Sequence, residues 1–288
     1  MNFNKIALGT AQFGLNYGVK NTTGKVKKED IESILSLARD NNINIIDTAI
    51  SYGTSEKILG EIGVVGWKIV SKIPQVPSDC IDINGWFKKE IQASLRRLNL
   101  SSIYAVLLHK PMDLLTSQGK DVFLGLVKLK EQGLVKKVGI SVYDPKELDE
   151  VWKRYNFDIV QLPYNIIDRR MLTSGWLRRL YESGVEVHSR SAFLQGLLLM
   201  NQTNRPPKYD KWEGIWRSWD NWLKVENLDA LDACLRFVLN EAFISHSIIG
   251  VDSFSQFKQI IKTLNFDSIS PPTDLFSYDE ELINPANW

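Results

Sequence analysis

Four side chains in the sequence, an aspartate, a tyrosine, a lysine and a histidine, could together deliver a proton to a carbonyl oxygen. They are Asp47, Tyr52, Lys72 and His109. A phenol has a pKa of about 10 and donates a proton poorly at neutral pH, but a nearby ammonium group lowers that pKa. A carboxylate can hold the ammonium in place, and a histidine can hydrogen-bond the carbonyl oxygen. These residue types indicate protonation of an alkoxide that forms as hydride reaches carbon, without a metal.

The elements that must position these residues are eight short β-branched runs, which alternate with longer helical patterns along the chain. Short buried strands followed by helices favour parallel pairing. A doubly wound open sheet is the alternative, but the count of eight and the lack of GxGxxG after the first strand favour a closed barrel. The predicted strands are 5–8, 43–47, 68–72, 103–109, 137–141, 159–162, 185–189 and 247–251. The predicted helices include 28–41, 55–62, 84–98, 120–132 and 255–264.

We therefore predict an α/β fold, a single (β/α)8 TIM barrel in which residues 1–288 form one domain. A long insert, roughly 191–226, follows the seventh strand, and the tail after Leu264 has little helical period. Long loops that follow barrel strands lie on the catalytic face. We expect the insert and the irregular C-terminal tail to shape the substrate pocket.

Polar side chains and one glycine end seven of the predicted strands, and in a barrel these ends surround one mouth. They are Asp47, Lys72, His109, Ser141, Gln161, Ser189 with Arg190, and Gly250. Tyr52 lies five residues beyond Asp47 and can reach the same centre. A lysine at this position could instead form a Schiff base, as in an aldolase, but that chemistry needs a lysine away from a carboxylate.

A resemblance to a known family covers nearly the whole chain. The segment DTAISYGTSEKILGEIG resembles the DTAxxYGxSExxLG signature of the aldo-keto reductases. Similar segments follow the family order, namely LGTAQFG, VSKI, LLHKP, VKKVGISVYDP, IVQLPYN, VHSRSAFLQGLLL and IIGVDSFSQF. The resemblance implies an NAD(P)H-dependent oxidoreductase that reduces an aldehyde or ketone to an alcohol. It also implies that Tyr52 is the general acid, that Lys72 and Asp47 tune it, and that His109 guides the carbonyl.

The same resemblance implies a nicotinamide cofactor site. Ser141 and Gln161 match positions that hold the nicotinamide carboxamide. Other matching positions are Gly9, Thr10, Ser189, Arg190, Gly196, Leu197, Gly250, Ser253 and Gln256. Asp252 stands where relatives that prefer NADPH often carry Arg or Lys, and a carboxylate there would repel a 2′-phosphate. We expect NADPH, the usual cofactor of the family, while NADH stays open because of Asp252.

A tryptophan-rich stretch of the insert has two open interpretations. Trp212, Trp216, Trp219 and Trp222 are spaced by 4, 3 and 3 residues, which puts them on one face of a helix. They could anchor the insert to the barrel. Alternatively, Trp212 and Trp216 could stack on a sugar-like substrate, and Arg217 could meet its phosphate or carboxylate.

Composition excludes several classes of partner. The formal net charge is +1, which provides no basic field for nucleic acid or for an anionic membrane surface. We find neither a signal peptide nor an apolar run long enough for a membrane span, and the two distant cysteines favour the cytoplasm. Three histidines without a cysteine cluster argue against a metal site. We expect a small-molecule carbonyl substrate, and the oligomeric state stays open.

A second class of function also stays open. Potassium-channel β subunits resemble the same family, so the chain could be a cofactor-binding regulatory subunit with little turnover. All four members of the candidate catalytic set are present, which favours the enzyme.

Overall fold

Eight parallel strands close into a barrel in the computed structural model, which describes residues 2–19, 21–22, 24–263 and 269–288. The strands are β1 (Ile6–Gly9), β2 (Ile45–Asp47), β3 (Lys68–Ile73), β4 (Ile103–Leu108), β5 (Val135–Ser141), β6 (Ile159–Pro163), β7 (Glu186–Arg190) and β8 (His246–Gly250). Each strand pairs with its neighbour in sequence, and β8 pairs with β1 from Ile6–Ser247 to Gly9–Gly250. This closure confirms the predicted barrel and rules out the open sheet.

Helices surround the barrel and join its strands. They are α1 (Ala11–Gly14), α2 (Lys28–Asp40), α3 (Ser55–Ile62), α4 (Ile83–Leu98), α5 (Gly119–Glu131), α6 (Pro145–Val151), α7 (Arg170–Thr173), α8 (Trp176–Glu182), α9 (Glu213–Val225), α10 (Ala230–Leu239), α11 (Phe254–Thr263) and α12 (Glu280–Ile283). Short 3-10 helices cover Asn2–Lys5, Pro111–Leu115, Leu194–Leu199, Gln202–Asn204, Pro207–Trp212 and Pro285–Asn287. The end of the last predicted barrel helix, Leu264, lies outside the described residues. No described helix is both long and apolar enough to span a bilayer.

Most strand boundaries lie within one residue of those predicted, and the starts of two strands differ by two residues, each for a local reason. Strand β2 begins at Ile45 because the backbone N–H of Ile43 donates to the Ala38 carbonyl, which makes Ile43 part of the turn after α2. Strand β5 begins at Val135, earlier than predicted, because that residue pairs with Ile103 on β4. The apolar runs themselves become strands because a parallel sheet covered by helices buries both of its faces.

The start of α6 shows how the sequence fixes the path of a loop at the catalytic face. The Asp144 carboxylate accepts from the Lys146 N–H at 2.8 Å, and Glu147 accepts from the N–H groups of Tyr143 and Asp144. Pro145 occupies the first turn, where no N–H is needed. This capping box holds the segment that follows β5 in one conformation.

The insert and the tail build a second apolar cluster beside the barrel. Trp216, Trp219 and Trp222 of α9 are all buried in it. The tail packs on the insert through Leu282, while the Trp212 indole N–H donates to the Asp279 carboxylate at 2.9 Å. Trp216, Trp219 and Trp222 therefore share the buried face of α9 that anchors the insert, whereas Trp212, predicted on the same face, lies in the preceding 3-10 helix.

Candidate active site

A cavity of about 290 Å³ opens at the carboxyl ends of the barrel strands. Ligand sites in proteins typically measure roughly 300–1,000 Å³, so its size suits a small molecule. Many residues singled out in the sequence line it, namely Gly9, Thr10, Asp47, Tyr52, His109, Ser141, Gln161, Arg190, Gly196, Gly250, Asp252 and Gln256. The strand ends thus converge on one site.

A buried ion pair lies at the base of this site. Lys72 is 1% exposed, and its Nζ donates to Asp47 Oδ1 at 2.6 Å and to the Thr48 carbonyl at 3.0 Å. The second carboxylate oxygen of Asp47 accepts from Gln161 Nε2 at 2.7 Å. Both charges are therefore compensated, which is the condition under which buried charges are tolerated. The contact with Gln161 joins residues far apart in the sequence, and no sequence pattern indicates it.

Tyr52 and His109 complete the cluster. Lys72 Nζ lies 5.0 Å from the centre of the Tyr52 ring, and the Tyr52 and His109 ring centres are 6.2 Å apart. The Ser51 hydroxyl oxygen lies 3.3 Å from Nδ1 of His109. All four residues of the predicted catalytic set therefore lie together at the cavity, with Lys72 beneath its wall.

Two glycines explain why Tyr52 sits where it does. A Cβ on Gly14 would lie 1.8 Å from the carbonyl oxygen of Tyr52, so α1 can approach this loop only without a side chain. Gly53 has a φ of 54°, and a Cβ there would meet the Gly14 carbonyl at 2.5 Å. The glycines of LGTAQFG and DTAISYG thus permit one close backbone contact behind the phenol.

The pKa of Tyr52 shifts in the direction opposite to that predicted from the sequence. Burial raises the pKa of the phenol above its usual value, and Asp47 raises it further, while Arg190 lowers it. The expectation that the Lys72 ammonium gives Tyr52 a lowered pKa is wrong. Asp47 offsets the charge of the ammonium, and burial disfavours the phenolate. Tyr52 is therefore a protonated phenol near neutral pH, the form that can give up a proton.

His109 is neutral for a related reason. Burial, followed by the positive charges of Lys72 and Arg190, lowers the pKa of His109 to about 3. A neutral imidazole offers one N–H donor and one acceptor nitrogen. It can therefore hydrogen-bond an uncharged carbonyl group without adding charge to the site.

This shift predicts that acid weakens the fold through His109. Its folded pKa lies below the unfolded value, so its contribution to stability is present above about pH 6.5 and is lost as the pH falls toward 3. We expect the free energy of unfolding to fall between pH 7 and pH 5, and to fall less in His109→Gln. Urea unfolding at both pH values measures this, with Lys120→Gln on the exposed side of α5 as the control. An equal decrease in His109→Gln and in the wild type would contradict the prediction.

Three residues predicted to bind the cofactor lie behind the cavity wall. The Ser189 hydroxyl donates to the Ser247 hydroxyl at 2.8 Å inside the barrel. Leu197 is fully buried in the second apolar cluster. The Ser253 hydroxyl accepts from the Gln256 N–H at 3.2 Å and so holds the start of α11. The structure places these side chains in supporting positions.

The three predicted substrate residues, Trp212, Trp216 and Arg217, are not among the residues that line the cavity, which corrects that prediction. Trp216 is 5% exposed, and its indole N–H donates to the Tyr209 carbonyl at 2.8 Å. Trp212 bonds to the tail, while Arg217 is exposed and pairs with Glu213 on the outer side of α9. Helical spacing places side chains on one face but does not indicate what that face packs against. The sugar-like substrate inferred from these residues loses its basis.

Several wall residues were not predicted from the sequence. Tyr17, Tyr143, Phe193 and Asp229 all line the cavity. Tyr143 could have been found, because it lies two residues beyond the strand-end Ser141. The others come from loops whose paths depend on tertiary contacts. The first part of the insert, through Leu199, also reaches the cavity, whereas α9 does not.

The chemistry of the wall fits a nicotinamide cofactor. Ser141 and Gln161 are register partners on β5 and β6, and together they present a hydroxyl and an amide to the cavity. Such groups are complementary to the donor and acceptor of a carboxamide. Around β8, Gly250 leaves the wall without a side chain, and Asp252 and Gln256 offer polar groups that suit a ribose.

Comparisons with known proteins agree with this geometry. The model of the aldo/keto reductase family matches residues 5–272. The chloroplastic pyridoxal reductase of Arabidopsis thaliana is 31% identical over 139 residues, 43% of this chain and 38% of that protein. The NADH-specific methylglyoxal reductase of Escherichia coli (strain K12) is 25% identical over 274 residues, 82% of this chain and 83% of that protein. A solved aldo-keto reductase from Bacillus halodurans, in its holo form, has a TM-score of 0.71 at 21% identity, over 92% of this chain and 88% of that one.

The chain belongs to the aldo/keto reductase family, because the family model covers most of its length. The resemblance seen in its motifs is confirmed, and with it the oxidoreductase class of enzyme.

Proposed function

We propose that this protein reduces an aldehyde or ketone to an alcohol with a nicotinamide cofactor, and that Tyr52 is the general acid. The observation that carries the proposal is the arrangement at the cavity. A protonated, half-buried phenol lies beside the Lys72–Asp47 ion pair, with a neutral His109 next to it. Such a set is complementary to an oxygen that gains negative charge.

Each side chain has one task in the proposed reaction. A bound nicotinamide cofactor supplies the hydride. His109 hydrogen-bonds the carbonyl oxygen, and its contact with Ser51 through Nδ1 leaves Nε2 for this role. Tyr52 gives its phenolic proton to the same oxygen, and the Lys72 ammonium stabilises the phenolate that remains. Asp47 keeps Lys72 in place and takes no proton.

The cofactor residues that we propose form two groups along the cavity. Ser141 and Gln161 hold the carboxamide near Tyr52. Gly250, Asp252 and Gln256 receive the adenosine half around β8. Wall residues from the loops complete the site, namely Gly9, Thr10 and Gly196, with Ser189, Leu197 and Ser253 supporting them from behind.

We further propose that NADH, rather than the NADPH favoured by the family resemblance, is the preferred cofactor. Besides Asp47, the carboxylates Asp252 and Asp229 line the cavity, and Asp229 was not predicted from the sequence. Each would repel a 2′-phosphate, whereas a carboxylate can accept a hydrogen bond from a ribose hydroxyl. The methylglyoxal reductase of Escherichia coli, a relative, is NADH-specific.

Titration with NADH and NADPH tests both proposals. We expect the Kd for NADH to be at least tenfold lower than that for NADPH. This is on the order of the free energy by which one pair of like charges repels across a partly solvated site. Asp252→Ser and Asp229→Ser should each lower the ratio of the NADPH Kd to the NADH Kd. Serine was chosen because it keeps the N-cap that Asp229 provides to α10. Asp121→Ser on the outer face of α5 is the matched control. An unchanged ratio in both variants would refute the role of the carboxylates.

The same titration decides the proposed function itself. If calorimetry detects no binding of either cofactor, the proposed reaction is wrong. If a cofactor binds without turnover of any aldehyde or ketone, the regulatory-subunit alternative gains support instead.

Three further assignments stay predictions. They are a single domain over residues 1–288, a cytoplasmic location and the absence of nucleic-acid and membrane partners. Cys80 and Cys234 are free cysteines, which is consistent with a reducing compartment.

A further inference from the structure

Arg190 is the one cationic side chain among the described residues that line the cavity. It ends β7, and its guanidinium donates to the Val142 carbonyl at 2.9 Å and to the Ser191 hydroxyl at 3.4 Å. The guanidinium carbon lies 4.1 Å from the centre of the Tyr143 ring. Within the part of the chain that the structure describes, Arg190 forms no ion pair. Its position is therefore set by two oxygens and one aromatic face.

Two other cations near the cavity are paired with carboxylates. Asp47 balances Lys72 at 2.6 Å. Arg170 is paired with Asp168 at 2.9 Å and with Asp144 at 2.8 Å. Arg190 differs from these cations in having no ion-pair partner among the described residues, and its charge, after burial and the charge of Lys72, lowers the pKa of His109.

We propose that Arg190 binds a carboxylate or phosphate of the carbonyl substrate. The inference rests on the proposed function and names its substrate class, an aldehyde or ketone that carries an anionic group a few bonds from the carbonyl. A partly buried guanidinium gains most from a charged, hydrogen-bonded partner, and its planar fork matches the oxygens of both anions. The anionic group must lie only a few bonds from the carbonyl of the substrate, because Arg190 lines the same cavity as Tyr52 and His109, which hold the carbonyl oxygen.

A phosphate of the cofactor is the other possible source of the anion. The sequence resemblance places Arg190 in the cofactor loop. The position of Arg190 favours the substrate as the source of the anion. The adenosine half is assigned to the region of Asp252 around β8, whereas the charge of Arg190 contributes to the pKa values of Tyr52 and His109. The effect of an Arg190 variant on substrate preference can therefore be measured separately from its effect on cofactor affinity.

Two aldehydes of equal length test the inference. 4-Oxobutanoate and butanal share the aldehyde, and only the first carries a carboxylate. We expect the wild type to prefer 4-oxobutanoate in kcat/KM, and Arg190→Met to lower this preference by about 10- to 100-fold, the effect of losing a charged hydrogen-bonded pair. Arg190→Lys should keep part of the preference. Lys110→Met removes an exposed cation beside His109, outside the cavity wall, and should change the preference by less than about twofold.

The outcomes separate the inference from the function on which it rests. An unchanged preference in Arg190→Met overturns the inference, and a raised cofactor Kd in that variant would assign Arg190 to a cofactor phosphate. If the wild type neither binds cofactor nor reduces either aldehyde, the proposed function fails. Calorimetry with butanedioate then still tests Arg190, since the wild type should bind this dianion at least tenfold more tightly than Arg190→Met, and equal affinities would overturn the role.

Discussion

Tyr52→Phe lowers kcat/KM for carbonyl reduction by about 10²- to 10⁴-fold, the range over which a positioned general acid acts. The variant removes one oxygen atom from a half-buried ring and keeps the contacts of that ring with Lys72 and His109. The cofactor Kd should change little, because the phenol acts on the substrate oxygen. Steady-state kinetics and a cofactor titration on the same preparation measure the two effects separately.

The matched control is Tyr104→Phe, at the opposite end of the barrel. The Tyr104 hydroxyl donates to the Glu186 carboxylate at 2.6 Å, so this variant also removes a bonded hydroxyl. It should lose stability but keep kcat/KM within a few-fold. If Tyr52→Phe retained more than a tenth of the wild-type kcat/KM, Tyr52 would not be the acid.

Lys72→Met should damage both the fold and the activity. Removing one partner of a buried ion pair leaves the other charge uncompensated, at a cost of about 3–5 kcal/mol. Here the charge left behind is the Asp47 carboxylate, which is 2% exposed and would keep Gln161 as its one side-chain donor among the described residues. Loss of the ammonium also removes the group that stabilises the Tyr52 phenolate. Urea unfolding measures the first effect and steady-state kinetics the second.

A double variant separates the two roles of Lys72. Asp47→Asn with Lys72→Met removes both charges, so we expect most of the lost stability to return while activity stays low. Lys137→Met is the control at the other end of the barrel, where the ammonium pairs with Glu186 at 2.5 Å but is one-third exposed. That pair should contribute much less to the free energy of unfolding. Equal destabilisation by Lys72→Met and Lys137→Met would show that burial does not set the cost.

The hydrophobic periodicity of the sequence and the residues at the strand ends were sufficient to predict most of the fold. The alternation of eight apolar runs with helical patterns determined the barrel, because a parallel strand needs a crossover and the crossovers cover the sheet. The polar residues that interrupt these runs at the strand ends indicate the end of the barrel at which the cavity opens. Asp47, Tyr52 and His109 line that cavity, and Lys72 is paired with Asp47 beside it.

The electrostatic state of that group depends on distances that the sequence does not contain. Lys72 lies beside Tyr52 as expected, yet the pKa of Tyr52 rises, because burial and Asp47 outweigh the ammonium. Gln161 reaches Asp47 across the barrel at 2.7 Å, a contact that barrel closure creates. Burial and nearby charges of both signs act on such groups at once, so the direction of the pKa shift follows only from the packed structure.

The insert shows the same limit for packing. Local sequence determines that Trp216, Trp219 and Trp222 share a helix face, since a residue's direction around a helix follows from its position alone. Whether that face meets substrate or core depends on how α9 docks, which long-range contacts with the tail decide. The sequence by itself thus determined the barrel, its catalytic face and the residue types there. Only the tertiary structure decided which side chains line the cavity, which charges are balanced and that Arg190 forms no ion pair within the described chain, because these properties arise from contacts between segments far apart in sequence.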